Sequence, residues 1–210
     1  MQAQHHELPR RTSVTDPLRI DELPIGSNGA LIGLTVCPGK KGSSAFGRPW
    51  ERDLSADLDV VKAWGALAVV TLIEQHEFAL LEVGPLGREV VARGMQWAHL
   101  PIVDQAAPDL RFENAWIEAG PMLRGLIKAG ARFVIHCRGG LGRAGTVAGR
   151  LLVETGIEPS SAIALVRAAR HGAIETKPQE RYVLSQQAVA TAPPRHIALQ
   201  RQQPQVPVAR

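Results

Sequence analysis

Residues 136–143 read His136-Cys137-Arg138-Gly139-Gly140-Leu141-Gly142-Arg143, a cysteine and an arginine separated by five residues, three of them glycine. The run before it, Arg132-Phe133-Val134-Ile135, is short and apolar and reads as a buried strand. The run after it, 144–155, puts Val147, Leu151 and Leu152 on one helical face and ends at Gly156. Cys137 therefore falls in a strand-to-helix turn. In such a turn the N–H groups of a glycine-rich loop and the positive end of a helix dipole converge, which favours a bound phosphate and also a thiolate. An ordinary thiol, with a pKa of about 8.5, is only about 3 % ionised at neutral pH, while thiols at helix N-termini beside cations titrate between roughly 3.5 and 7.5. A lone cysteine at a strand end is ordinarily a small apolar filler. The glycines at 139, 140 and 142, with Arg143 at its offset, set this one apart.

Outward from the loop, apolar runs at 30–36, 68–73, 96–103 and 131–136 read as strands. Helical patterns at 57–64, 86–93, 113–129, 144–155, 159–170 and 178–190 separate or follow them, and Pro121 predicts a kink or break in the third. Alternating strands and helices imply an α/β fold, a central parallel or mixed sheet flanked by helices. Ligands of such folds sit at the carboxyl ends of strands, where Cys137 falls. Residues 1–20 and 192–210 are polar and proline-bearing and read as disordered tails around one domain over 21–191.

Composition narrows the function classes. With 210 residues and 45 % hydrophobic content, the chain can bury one substantial core. The net charge is 24 − 20 = +4 and the pI about 9.5, but the charges are scattered and aromatic residues are few, which argues against nucleic acid as partner. Anionic, phosphorylated substrates account for the sign equally well. Arginine outnumbers lysine 19 to 5, which suits bidentate phosphate contacts. The longest apolar stretch, 66–73, is too short to span a bilayer, so no stable membrane association is expected. No apolar leader follows Met1, and only Cys37 and Cys137 occur, which points to a reducing cytoplasm. Cys37 ends a strand and reads as structural, with a protective disulfide to Cys137 as the alternative. No Cys/His cluster has zinc spacing, and the chemistry suggested by the loop calls for neither metal nor cofactor. Nothing in the sequence sets the oligomeric state.

The run His136 to Arg143 resembles the active-site loop of the protein tyrosine and dual-specificity phosphatases, in the form most similar to the kinase-associated phosphatase branch. Trp97-Ala98-His99-Leu100-Pro101-Ile102-Val103-Asp104 resembles the family's strand and general-acid loop. Arg170-His171-Gly172-Ala173-Ile174-Glu175-Thr176, followed by Gln179-Glu180, resembles its helix exit and glutamine segment. The likeness covers about residues 25–190. It implies a phosphoprotein phosphatase that hydrolyses phosphotyrosine, with phosphoserine or phosphothreonine as further substrates, through a phosphocysteine. A phosphoinositide phosphatase and a weakly catalytic phosphate-binding module are the alternatives.

The roles implied by the resemblance are Cys137 as nucleophile and Asp104 as general acid and later base. Gln179 corresponds to the family's water-positioning residue. Phosphate falls to Arg138, Gly139, Gly140, Leu141, Gly142 and Arg143, and His136 orients the loop. Asp109 is a rival acid, but Pro108-Asp109 also reads as a turn or N-cap. Arg167 and Arg170 read as surface charges. The glycine-rich stretch 38–50, with Lys40, Lys41 and Arg48, reads as a mobile substrate-facing loop or a solvated connection. Two positions depart from the family pattern. Ala144 stands where a serine or threonine is common, with Thr146 as a partial substitute, and His171 stands where proline is frequent.

Overall fold

The computed structural model describes residues 9–44 and 47–189. Its main sheet has the order β2-β3-β8-β6-β7: β2 (Asp21–Ile25), β3 (Ala30–Thr35), β8 (Arg132–His136), β6 (Ala66–Thr71) and β7 (Gln96–His99). Only the β2–β3 pair is antiparallel. The strand leading into the Cys137 loop is therefore the centre of the sheet. Its residues Phe133, Val134 and Ile135 are apolar in unbroken succession because both faces are covered. Phe133 and Ile135 join a cluster with α4 (Leu110–Lys128), α5 (Gly142–Glu154), α6 (Pro159–Ala169) and α7 (Lys177–Leu184). Val134 joins the opposite cluster, with α1 (Leu54–Ala63), α2 (Gln75–Leu80) and α3 (Leu86–Ala92).

Helix α5 is buried along its whole length. Glycines allow this. A Cβ on Gly145 would lie 2.9 Å from Ala173 Cβ, and one on Gly149 3.1 Å from a Val183 methyl, so segment 173–183 packs directly on the helix that begins at the loop. Helix α4 passes through Pro121 without the expected break. Pro121 and Ile117 both lie on the exposed side, so the carbonyl that proline leaves without a donor faces water.

The expected boundary at residue 21 lies earlier in the chain. β1 (Arg11–Thr12) pairs with β5 (Trp50–Glu51), which pairs with β4 (Lys41–Gly42), and Leu18 is buried in the second cluster. Residues 9–20 are thus part of the domain. Residues 1–8 and the whole expected tail 192–210 lie outside the described residues. Helix α7 ends at Leu184, short of the expected 190.

Candidate active site

Four segments that follow the carboxyl ends of parallel strands meet around Cys137, which is 3 % exposed. They carry Lys40 after β3, Glu77 after β6, Asp104 after β7, and the Cys137 loop itself after β8. The Gly140 amide donates to Cys137 Sγ at 3.1 Å. Loop carbonyls are held from the other side by donors: Lys40 Nζ reaches Arg138 O at 3.1 Å and Arg170 Nη2 reaches Gly139 O at 3.0 Å. Gly140 has φ +71°, and a Cβ there would stand 2.2 Å from Thr35 O. Only glycine fits that position, and the tight turn it permits aims the amide at sulfur.

His136 is fully buried, and burial lowers its pKa to about 4, so the ring is neutral. Its Nε2 lies 2.8 Å from Thr71 Oγ1, and its Nδ1 faces Cys137 O at 3.4 Å. A carbonyl only accepts, so the proton sits on Nδ1, and Thr71, which already accepts from Trp97 Nε1 at 2.9 Å, donates to Nε2. This chain of bonds ties the first residue of the loop to strands β6 and β7.

Arg143 is 1 % exposed. Its Nη1 donates to Glu77 Oε2 at 2.5 Å and to Ile102 O at 3.1 Å. Its Nη2 donates to Glu77 Oε1 at 3.0 Å and pairs with Asp104 Oδ1 at 2.9 Å. Three hydrogen bonds and one ion pair thus engage both terminal nitrogens of the guanidinium. Its Nε is buried with no partner among the described residues. Burial alone would weaken the arginine's hold on its proton, but the hydrogen bonds to Glu77 override it and raise the pKa above its ordinary value. The sequence reading missed Glu77. Its helix, α2, has only six residues, half of them polar, and the carboxylate reaches Arg143 only through the fold.

The remaining expected residues divide. Asp109 is the N-cap of α4, accepting from Phe112 N at 3.1 Å, so its carboxylate has a structural task. Thr146 Oγ1 donates its proton to Gly142 O at 2.8 Å and is not free to replace a hydroxyl at Ala144. The Gly142 amide, one of those expected to face phosphate, instead donates to Glu175 Oε2 at 2.7 Å. Gln179 is fully buried with its amide engaged at both ends: Oε1 accepts from Thr176 N at 3.2 Å and Nε2 donates to Ala106 O at 3.1 Å. In this geometry it braces the Asp104 loop rather than presenting itself to water.

Lys40, Lys41 and Arg48 of the basic stretch are engaged rather than freely solvated. Lys40 is buried over the Trp50 ring, and burial lowers its pKa to about 8. Lys41 pairs with Glu51 and Glu82, and Arg48 pairs with Asp16. Arg170, expected at the surface, reaches the loop as described and also pairs with Asp21 at 2.5 Å. Arg167 holds Ala173 O and Ile174 O at 3.2 and 3.1 Å. Cys37 and Cys137 are both buried free thiols, and burial pushes the Cys37 thiol up, so it stays protonated.

Asp104, Arg138, Gly139, Leu141, Glu175 and Lys40 line part of one cavity of about 480 Å³, closed on its far side by the β1-β5-β4 sheet through Arg11 and Trp50. The cavity offers cations and a carboxylate above the loop that holds the Cys137 thiol at a helix N-terminus, and together these groups can bind a phosphate monoester and exchange a proton with it. Among the described residues no helix is long and apolar enough to cross a membrane.

Comparison with known proteins agrees with this chemistry. Residues 53–183 match the family described as Swiss Army Knife protein, DSP-PTPase phosphatase domain. Cyclin-dependent kinase inhibitor 3 of Mus musculus is 30 % identical over 171 residues, 80 % of this chain and 77 % of that protein. Protein tyrosine phosphatase type IVA 3 of Homo sapiens is 29 % identical over 135 residues, covering 61 % of this chain and 69 % of the relative. The crystal structure of kinase associated phosphatase with its catalytic cysteine replaced by serine superposes with a TM-score of 0.69 at 28 % identity, over 80 % of this chain and 92 % of that one. The chain belongs to the DSP-PTPase phosphatases, on the kinase-associated branch, and is a protein tyrosine/dual-specificity phosphatase.

Proposed function

We propose that Cys137 is the nucleophile, Arg143 the phosphate clamp and Asp104 the general acid for hydrolysis of phosphotyrosine, and of phosphothreonine or phosphoserine, in protein substrates. The observation that carries this reading is the disposition of Arg143. A bidentate arginine–phosphate contact uses two parallel N–H groups. Nε is unpartnered, and Nη2 is shared between Glu77 and Asp104. An arriving phosphate takes Nε and displaces Asp104 from Nη2, which frees that carboxyl to meet the leaving oxygen.

The Cys137 thiolate attacks phosphorus as the P–O bond to the leaving group breaks, and protonated Asp104 supplies the proton to that oxygen. Water then attacks the phosphocysteine, giving its proton to Asp104, and the thiolate departs with inorganic phosphate formed. With alanine at 144, the departing sulfur is supported by the Gly140 amide and the dipole of α5 instead of a hydroxyl. The names borne by the relatives, a kinase associated phosphatase and protein tyrosine phosphatases, support a phosphoprotein substrate. Two free thiols, one in the site, support work in a reducing cytoplasm; recovery of the cellular protein with both thiols oxidised would sink that assignment.

The test is a panel of phosphotyrosyl and phosphothreonyl peptides and phosphoinositides, run with the wild-type protein and Cys137→Ser. Phosphotyrosyl peptides are turned over fastest, vanadate inhibits, a chelator does not, and the serine variant is inactive. A preference for inositol lipids overturns the substrate class, and retained activity in the serine variant overturns the nucleophile.

A further inference from the structure

The contact between Asp104 and Arg143 Nη2 cannot persist once phosphate occupies the clamp. The other bond to the Asp104 carboxylate is local, from Gln105 N at 3.2 Å. What holds the Asp104 loop during the chemistry must then act on its backbone. Ile102, at its start, is held by Leu72 O and by Arg143 Nη1; past Asp104 two side-chain bonds do so, both from one segment. Thr176 Oγ1 donates to Gln105 O at 3.0 Å, and Gln179 Nε2 donates to Ala106 O at 3.1 Å. The residue before Thr176 turns the other way: Glu175 accepts from the Gly142 amide of the Cys137 loop at 2.7 Å. Within five residues the chain grips both catalytic loops.

The backbone on each side is shaped for this grip. Gln105 has φ +61° and Ile174 φ +58°, a region that non-glycine residues enter rarely and β-branched ones least of all. Ile174 is buried against Gly145, and Arg167 fixes the carbonyls of Ala173 and Ile174 while pairing with Glu180 at 2.7 Å. Backbone held in such a conformation by its surroundings clusters where geometry matters to function.

We propose that segment 174–179 is a clasp that fixes the distance between the two loops, and that Thr176 is a positioning residue for Asp104. Thr176 is also the N-cap of α7, accepting from Gln179 N at 3.4 Å. The two tasks use opposite polarities of the hydroxyl, and substitution can separate them. Serine keeps both. Aspartate caps well but, ionised, has no proton to give Gln105 O. The proposal rests on Asp104 being the general acid, so Asp104→Asn accompanies every measurement.

The experiment is a series of aryl phosphates whose leaving groups run from nitrophenols to phenols near the tyrosine pKa of about 10. Thr176→Asp loses about tenfold or more in kcat on the poorest leaving groups and little on the best, a partial version of the Asp104→Asn defect of about 10² or more. Thr176→Ser stays within about threefold throughout, since its hydroxyl makes both bonds. Gln179→Met, which removes the second backbone bond and the bond from Thr176 N but leaves the Thr176 hydroxyl in place, steepens the series in the same direction. Wild-type behaviour of Thr176→Asp, or a loss uniform across the series in a variant with native circular dichroism, overturns the clasp. An Asp104→Asn series without leaving-group dependence overturns the acid instead, and the two failures are distinct.

Discussion

Removing Glu77 tests whether the arginine's aim is built or incidental. The Glu77 and Arg143 side chains are 4 % and 1 % exposed, and the carboxylate takes two guanidinium bonds while also accepting from Glu74 N at 2.8 Å. Breaking a buried pair by deleting one partner costs about 3–5 kcal/mol, because the other charge stays buried. Arg143 keeps Ile102 O and Asp104, which places Glu77→Ala at the low end, near about 3 kcal/mol. With a urea dependence of about 2 kcal/mol per molar, the unfolding midpoint falls by about 1.5 M. Glu77→Gln keeps one acceptor and loses about 1.5–3 kcal/mol. Activity falls further than stability suggests: a clamp displaced by about 1 Å costs about 10²-fold in kcat/KM. The pH dependence has a definite sign. Burial tends to raise the Glu77 pKa, but the bonds from Arg143 and Glu74 win and hold it below the ordinary range. Its stabilisation is therefore present above the unfolded value of about 4.3 and lost as pH falls through the folded value. Urea titrations at several pH values, with kcat/KM on an aryl phosphate, measure all of this. A Glu77→Ala protein within about 0.3 M of the wild-type midpoint and within about threefold of its kcat/KM would refute the reasoning.

Gly140→Ala places a methyl 2.2 Å from Thr35 O at φ +71°, so the loop must distort; kcat/KM on an aryl phosphate drops by about 10²-fold or more, and an active variant would show the turn to be dispensable. Ala144→Ser supplies the hydroxyl that Thr146 cannot, and rapid-quench kinetics should show phosphocysteine breakdown faster by about threefold to tenfold, with a smaller burst; unchanged breakdown removes that role. His136, held near pKa 4 against an ordinary 6.5, binds a proton in the unfolded chain before the folded one. Stability therefore rises between those pH values, by about 3 kcal/mol from this group, and His136→Asn should flatten the urea-midpoint profile there; parallel profiles contradict the assignment. Lys40→Met loses both the bond to Arg138 O and the ammonium's place over the Trp50 ring, lowering kcat/KM by about tenfold in steady-state kinetics, while an undiminished rate would make those contacts incidental.

The sheet's centre was legible because β8 is covered on both faces and so reads as unbroken hydrophobic sequence ending at Cys137. β2 was not, since Pro24 speaks against a strand; as an edge strand it tolerates a residue with no N–H to give. β1, β4 and β5 have two residues each, too few for any periodicity. In the site, Cys137 and Arg143 stood out as candidates from local pattern and Asp104 from the resemblance of its segment, and the fold places Asp104 against Arg143. Glu77 was not, because its partner lies 66 positions away and its own helix has six residues. A signal for Gln179 was present in Thr176-Lys177-Pro178-Gln179: threonine followed three residues later by glutamine is the capping-box pattern, and its local bond explains half of that buried amide. The other half, to Ala106 O, exists only in three dimensions. Arg167 and Arg170 looked like last-turn surface cations; Arg170 holds a carbonyl 31 positions away, and Arg167 holds those of Ala173 and Ile174 only because the chain turns back beyond α6.

The central claim is that phosphate passes through Cys137. Acid quench during turnover of an aryl phosphate, followed by peptide mapping, measures this directly. One phosphoryl group on the peptide carrying Cys137, rising in the burst and decaying as inorganic phosphate appears, is the predicted result. A burst with the phosphoryl group on another residue, or turnover with no phosphoenzyme at any time within the burst, would contradict it.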